Sequence, residues 1–206
     1  KKEVLWEYAY QNESPQARAQ AKPYFLHANH HGPLIITDTG HRKIIAINDS
    51  GESSWEFNGK LGFSLNFQHQ LIQADLFMPV SAFATGKDRY LIADQGNGRI
   101  FEINHKGKLL WIYPDKKQPR LPAINFAYRL SNGNTWISSD KIIEISSKGE
   151  ILWHFARLAD ADIKQAYPLA DSSFILDFSH LVKRGINQEV MRLDHNGKVQ
   201  FRHYYS

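Results

Sequence analysis

Apolar and polar positions alternate along most of this chain. In Arg99-Ile100-Phe101-Glu102-Ile103 every second side chain falls on one face, the period of a strand and not of a helix. The alternation recurs inside a fixed frame. Ile36-Thr37-Asp38-Thr39-Gly40-His41-Arg42-Lys43-Ile44-Ile45-Ala46-Ile47 aligns without a gap with Ile92-Ala93-Asp94-Gln95-Gly96-Asn97-Gly98-Arg99-Ile100-Phe101-Glu102-Ile103. Each reads as an apolar strand ending at Asp, a turn with Gly, a basic residue and an alternating strand. From the last Ile to the next Gly is four residues in both, and the spacing holds from Ile145 to Gly149 and from Leu193 to Gly197. That Gly opens a further strand with an aromatic at its fifth position: Trp55, Trp111, Trp153 and Phe201. Lys2-Glu3-Val4-Leu5-Trp6 has the same form, with Lys in place of Gly.

The aromatics at 6, 55, 111, 153 and 201 lie 49, 56, 42 and 48 residues apart. A drifting period of roughly 40–50 residues is that of propeller repeats. Each unit reads as four strands, a to d. In the second unit these are Val80–Thr85, Tyr90–Asp94, Arg99–Asn104 and Lys108–Tyr113, with a turn at Gly86-Lys87-Asp88. Asn48-Asp49-Ser50-Gly51, Asn104-His105-Lys106-Gly107, Ser146-Ser147-Lys148-Gly149 and Asp194-His195-Asn196-Gly197 read as hairpin turns. The expected fold is all-β. It is a β-propeller of about four four-stranded blades, at about 23–57, 78–113, 122–155 and 164–205, in one domain over 1–206. Glu3–Tyr10 is an orphan outer strand, a strand d without its a, b and c. It implies either a longer propeller or missing strands supplied by another segment. Trp55, Trp111 and Trp153 are expected to pack between units, each contributing roughly 2–3 kcal/mol on burial.

Three connections stand out. Residues 9–22 are polar and predict a short helix after Ser14-Pro15. Residues 58–77 are apolar, with Leu61, Phe63, Leu65, Phe67, Leu71 and Ile72, and read as a lid, a partner-docking helix or a loop packed on its own blade. Residues 114–121 are basic and proline-rich. Long loops on a rigid scaffold are where function concentrates. Leu65, Phe67, Leu71, Ile72 and Arg120 are therefore the partner-binding candidates.

Composition narrows the chemistry. The 206 residues are 42% hydrophobic, enough for a large core, and no apolar run approaches the length of a membrane span. The net charge of +4 comes from scattered Lys and Arg, which argues against a nucleic-acid surface. There is no cysteine, hence no disulfide, thiolate metal site or thiol nucleophile. The Lys-Lys start inside a repeat reads as that of a processed or excised segment.

In a propeller the d–a and b–c connections share one face. Asp38, His41, His69, Asp94, Asn97, Arg99, Asp177, His180 and Arg184 fall there, and are the candidates for lining the central channel. Asp38, Asp94 and Asp177 read as equivalent ends of strand b. The competing reading is that each Asp accepts hydrogen bonds from the turn that follows it. His27, His30 and His31 are the densest histidine cluster, but no carboxylate stands near and Gly32-Pro33 turns the chain, so no metal site is assigned.

Asp94…Asn97-Gly98-Arg99-Ile100…Gly107 resembles the NHL repeat. Glu102-Ile103…Gly107-Lys108…Trp111 resembles the repeats of quinoprotein-type (PQQ-like) and arylsulfotransferase-like propellers. The resemblance covers nearly the whole chain and implies the propeller fold in a bacterial, extracytoplasmic protein: periplasmic, secreted or surface-attached. Such families include enzymes, sensors and scaffolds. A sulfotransferase would need a nucleophilic histidine with cationic support, for which His69, His180 and Arg129 are conceivable; a quinoprotein would need stacking surfaces such as Trp136. No diagnostic motif marks either. The expectation is a non-catalytic binding or scaffold module for a protein or another polymer, without cofactor or catalytic residue and with room for a small ligand in the channel. The alternative is a propeller enzyme of arylsulfotransferase or quinoprotein type.

Overall fold

Four hairpin turns of one design set the register of the chain. In each, the first side chain accepts from two backbone amides: Asn48 Oδ1 from Ser50 and Glu52, Asn104 Oδ1 from Lys106 and Lys108, Ser146 Oγ from Lys148 and Glu150, Asp194 Oδ1 from Asn196 and Lys198. The fourth residue is Gly at φ between 75° and 83°. A turn closed by a left-handed glycine adds one residue to the outgoing strand, a G1 bulge. The pairing shifts at Ala46/Ile47, Glu144/Ile145 and Arg192/Leu193 accordingly. Short polar side chains suit the first position because they reach their own backbone two residues on.

A computed structural model gives the structure of the chain and describes residues 8, 14–28, 32–59, 65–67, 70–72, 75–114, 121–155, 161–169, 171, 173–182 and 185–205. It is all-β, with four four-stranded antiparallel sheets. The first blade holds β1 (Pro23–Ala28), β2 (Leu34–Asp38), β3 (Lys43–Ile47) and β4 (Ser53–Phe57). A two-stranded hairpin follows, β5 (Leu65–Phe67) and β6 (Gln70–Ile72). The second blade holds β7 (Pro79–Gly86), β8 (Arg89–Asp94), β9 (Arg99–Asn104) and β10 (Leu109–Tyr113). The third holds β11 (Phe126–Arg129), β12 (Thr135–Ser138), β13 (Ile142–Ile145) and β14 (Ile151–Phe155). The fourth holds β15 (Ala161–Pro168), β16 (Phe174–Val182), β17 (Gly185–Leu193) and β18 (Val199–Tyr205). Strands neighbour one another in chain order in every blade.

Before the first blade stands α1 (Pro15–Arg18), where Ser14 caps the amide of Ala17 at 3.2 Å and Pro occupies the first turn. Residues 58–77 read as a lid, a docking helix or a packed loop; of these, the described residues 65–67 and 70–72 form a hairpin. Leu65 pairs with Ile72 and Phe67 with Gln70 in the β5–β6 ladder. The alternation of Leu61, Phe63, Leu65 and Phe67 has the period of a strand.

The chain divides into two units, Lys1–Ile112 and Tyr113–Ser206. In the first unit, β1 to β3 pack on β7 of the next blade. Phe25 and His27 sit 5.2 and 4.5 Å from the buried ring of Phe83. Trp55 stacks on Tyr90 at 3.9 Å, and Phe57 meets Phe101 edge-on at 6.2 Å. The other face of the first blade is covered at Ile36, Ile45 and Ile47 by Tyr8, the one described residue of the expected orphan strand. In the second unit, Phe174 of the fourth blade stacks on Trp136 of the third at 3.8 Å. Trp136 is thus a core residue and not an open stacking surface. Strands b and c of the first three blades are almost wholly buried. The outer strands β4, β14 and β18 carry exposed positions, and β18 is exposed throughout.

Candidate functional site

The carboxylates at the b–c ends of the first two blades are bound on every side. Asp38 is fully buried. Its Oδ1 accepts from the amides of Lys22 and His41 at 2.9 and 3.0 Å, and its Oδ2 lies 2.7 Å from His41 Nδ1. The other nitrogen of His41 lies 2.7 Å from the carbonyl of Ala17. Asp94, equally buried, accepts from the amide of Phe77 at 2.8 Å on Oδ1, and from Asn97 and Arg99 at 2.7 and 3.0 Å on Oδ2. Arg99 and Asn97 each extend to the carbonyl of Asp75 at 3.0 Å. Burial holds the Asp94 carboxyl above its usual range, and the donors from Asn97, Arg99 and Phe77 only partly offset it.

These contacts have one purpose in both blades. Lys22 and Phe77 lie just before strand a, so each Asp ties the incoming linker to its blade. A Cβ on Gly40 would strike the backbone of Gln20, and one on Gly96 that of Phe77. The glycine of the b–c turn is there because the linker passes directly over it. Asp38, His41, Asp94, Asn97 and Arg99 therefore form two latches.

The fourth blade departs from the expected equivalence. Asp177 is not at the end of its strand: it lies within β16, paired with Gln165 and Val190, and its Oδ1 accepts from the Tyr205 hydroxyl at 3.2 Å. Strand b runs on to Val182, so the Asp alignment fails there for want of a turn. His180 lies further along β16, paired with Ala161 and Asn187. His69, Arg184 and Arg120 fall outside the described residues. Leu65, Phe67, Leu71 and Ile72 are placed only as positions of the β5–β6 ladder. Of the histidine cluster, His27 is described. It is packed on Phe83, and burial lowers its pKa. Among the described residues no three His, Asp or Glu side chains gather as a metal site. Arg129 binds the carbonyl of Gly133 and the hydroxyl of Thr135 within its own hairpin.

The residues that sequence reasoning missed lie at the opposite end of the blades, where the a–b and c–d turns are. In the first unit a cavity of about 1040 Å³ opens there between the two blades. Trp55 and Tyr90 wall it, and Asp49, Lys87, Asp88 and His105 rim it, all four exposed. Trp55 donates its indole N–H to the carbonyl of His105 at 2.8 Å, which fixes the ring. His105 is tied to Asp88 by a backbone bond of 2.9 Å, with the imidazole 3.9 Å from the carboxylate. Burial, then the Asp88 charge, pushes the Tyr90 hydroxyl up.

The second unit has a smaller cavity of about 410 Å³ built from like parts. Trp153 supplies the aromatic, and Asn132, Asp171, His195 and Asn196 the exposed polar groups. Trp153 donates to Glu144 Oε2 at 2.6 Å, and the same buried carboxylate accepts from Trp136 at 2.9 Å and Asn134 at 2.7 Å. Hydrogen bonds from Ser173 hold the Asp171 carboxyl low. The available signal was the histidine at the second position of two c–d turns, His105 and His195.

No known protein family matches this sequence, and no characterised protein does. Solved structures do. A protein of unknown function from Bacteroides caccae superposes with a TM-score of 0.62 at 15% identity, over 98% of this chain and 71% of the other. A catalytically inactive virginiamycin B lyase from Staphylococcus aureus, with quinupristin, gives 0.52 at 13% identity, over 91% and 70%. A putative exported protein from Bacteroides fragilis gives 0.54 at 10% identity, over 89% and 71%. The fold is that of the β-propellers. At these identities the likeness extends to the fold alone. The propeller architecture expected from the repeats stands, and membership of the NHL or PQQ-like families is not established by any match.

Proposed function

We propose that this chain is a non-catalytic binding module that captures a protein or another polymer outside the cytoplasm. One observation carries the reading. The buried acids and bases at the b–c ends of the first unit are spent on latching the linkers, while the exposed polar groups gather around a fixed indole in the seam cavities. A catalytic acid or base must reach a substrate proton; Asp38 and Asp94 have no exposed surface from which to do so. Fixed aromatics rimmed by polar turns suit recognition. The exported neighbour from Bacteroides fragilis supports the location. The β5–β6 hairpin, with Leu71 and Ile72, and the loop with Arg120 are further docking surfaces under this reading.

The test pairs retention with turnover. Immobilised chain should retain its partner saturably and leave it chemically unchanged, with no transfer from an aryl sulfate donor and no quinone absorbance in purified material. Sulfate transfer or a bound quinone would replace this reading with the enzyme one. Asp at Leu71 and Ile72 should weaken retention if the hairpin takes part; unchanged retention removes it from the account.

A further inference from the structure

Both seam cavities follow one recipe, and the recipe specifies a ligand class. Each has one half-buried tryptophan whose N–H is already bonded inside the protein, to His105 in one case and Glu144 in the other. The ring is therefore held in place before any ligand arrives, with its N–H already spent, and it enters the cavity lining as apolar aromatic surface. Around it stand polar and charged side chains on turns: Asp49, Lys87, Asp88 and His105 in the first unit, Asn132, Asp171, His195 and Asn196 in the second. Aliphatic lining in the first cavity is limited to Pro33 and Ala84, which does not suit the apolar anchor side chains of a peptide, whereas Leu130 and Leu152 add apolar surface beside Trp153 in the second. Asp49 and Asp88 against Lys87 leave one net negative charge on the rim, which disfavours an anionic ligand.

A ligand that matches has apolar C–H groups on one face and closely spaced hydroxyls around its edge. A pyranose ring is built this way. Its axial C–H groups pack on an indole, and carboxylates, amides and imidazoles pair with its hydroxyls in the direct or water-bridged manner of wet polar sites. A cavity of this kind is found in each unit. We propose that each seam cavity seats one sugar unit of a neutral glycan, with Trp55 and Trp153 as the aromatic walls. This rests on the binding-module reading and names the polymer.

The whole chain is run in native gels containing soluble β-glucan, xylan, mannan or dextran. The expected result is retardation by at least one of them, saturable by its hexasaccharide, with shifts of the Trp55 and Trp153 indole resonances when that hexasaccharide is added. D49A/K87A and H195A/N196A should each weaken retardation about tenfold, and the four changes together should abolish it. All four residues are exposed, and the melting temperature, measured alongside, should hold. Retardation by none of the polysaccharides overturns the glycan assignment, as does retardation that survives the fourfold variant. A protein captured through these same side chains, with no glycan retained, overturns the glycan and leaves the binding module standing. Shortening of the retained polysaccharide overturns the binding-module reading itself.

Discussion

The indole of Trp55 lies 3.9 Å from the phenol ring of Tyr90, their planes 8° apart, and joins two blades that are otherwise separate sheets. Its N–H reaches the c–d turn of the neighbouring blade at His105. Trp55→Ala removes the stack, the bond and the wall of the cavity, and should cost about 3 kcal/mol in urea unfolding. Trp55→Phe keeps a ring on Tyr90 and loses the bond, which should cost about 1 kcal/mol. Phe201 holds the same repeat position in the fourth blade but is 54% exposed. Phe201→Ala should stay within about 0.5 kcal/mol. Equal losses at Trp55 and Phe201 would mean that the seam contact does not stabilise the first unit.

Asp94 and Arg99 form a buried pair, 0% and 9% exposed in their side chains, at 3.0 Å. Asp94→Ala strands the guanidinium and frees the amide of Phe77, so the expected cost is about 3–5 kcal/mol. Adding Arg99→Met removes the stranded charge. The double variant should then be more stable than the sum of the two single losses, by about 1–3 kcal/mol. Strict additivity in that cycle would show that the latch is not a coupled unit.

His27 faces Phe83, and burial lowers its pKa below the ordinary histidine value of 6.5. The folded chain resists the proton that the unfolded chain accepts. The contribution of His27 is therefore fully present above 6.5 and is lost as pH falls through the interval down to the lowered value. Stability should drop as pH falls through 6.5 towards the lowered value, and the drop should shrink in His27→Leu, which cannot take up a proton. A midpoint for the imidazole at or above 6.5 in an NMR titration would contradict the burial argument.

The blades were legible because their determinants are local. Asn104 and Gly107 make their turn from four consecutive residues, and the alternation in β9 needs only its own strand. The channel candidates were half legible: the alignment of Asp38 with Asp94 is real, but its meaning depends on Lys22 and Phe77, 16 and 17 residues upstream. Asp177 was misplaced because β16 extends nine residues, to Val182, and no turn follows the Asp. The cavities were not legible at all. They exist only where Trp55 meets a turn fifty residues away, and repeat spacing names the tryptophan without naming what it faces.

Gly197 and Gly133 separate backbone strain from crowding in the second unit. Both hold left-handed conformations, at φ +78° and +86°. A Cβ on Gly133 would meet open space, whereas one on Gly197 would lie 3.0 Å from the Trp153 ring. Alanine at either position carries the left-handed penalty of about 1 kcal/mol. At Gly197 it must also displace an indole anchored to Glu144, which is held in turn by Trp136 and Asn134. Gly197→Ala should therefore cost about 1 kcal/mol more than Gly133→Ala and shift the tryptophan emission, while Gly133→Ala leaves the emission unchanged. Equal costs with unchanged emission would mean that Trp153 yields freely, and a ring that yields freely could not serve as the fixed wall of the second cavity.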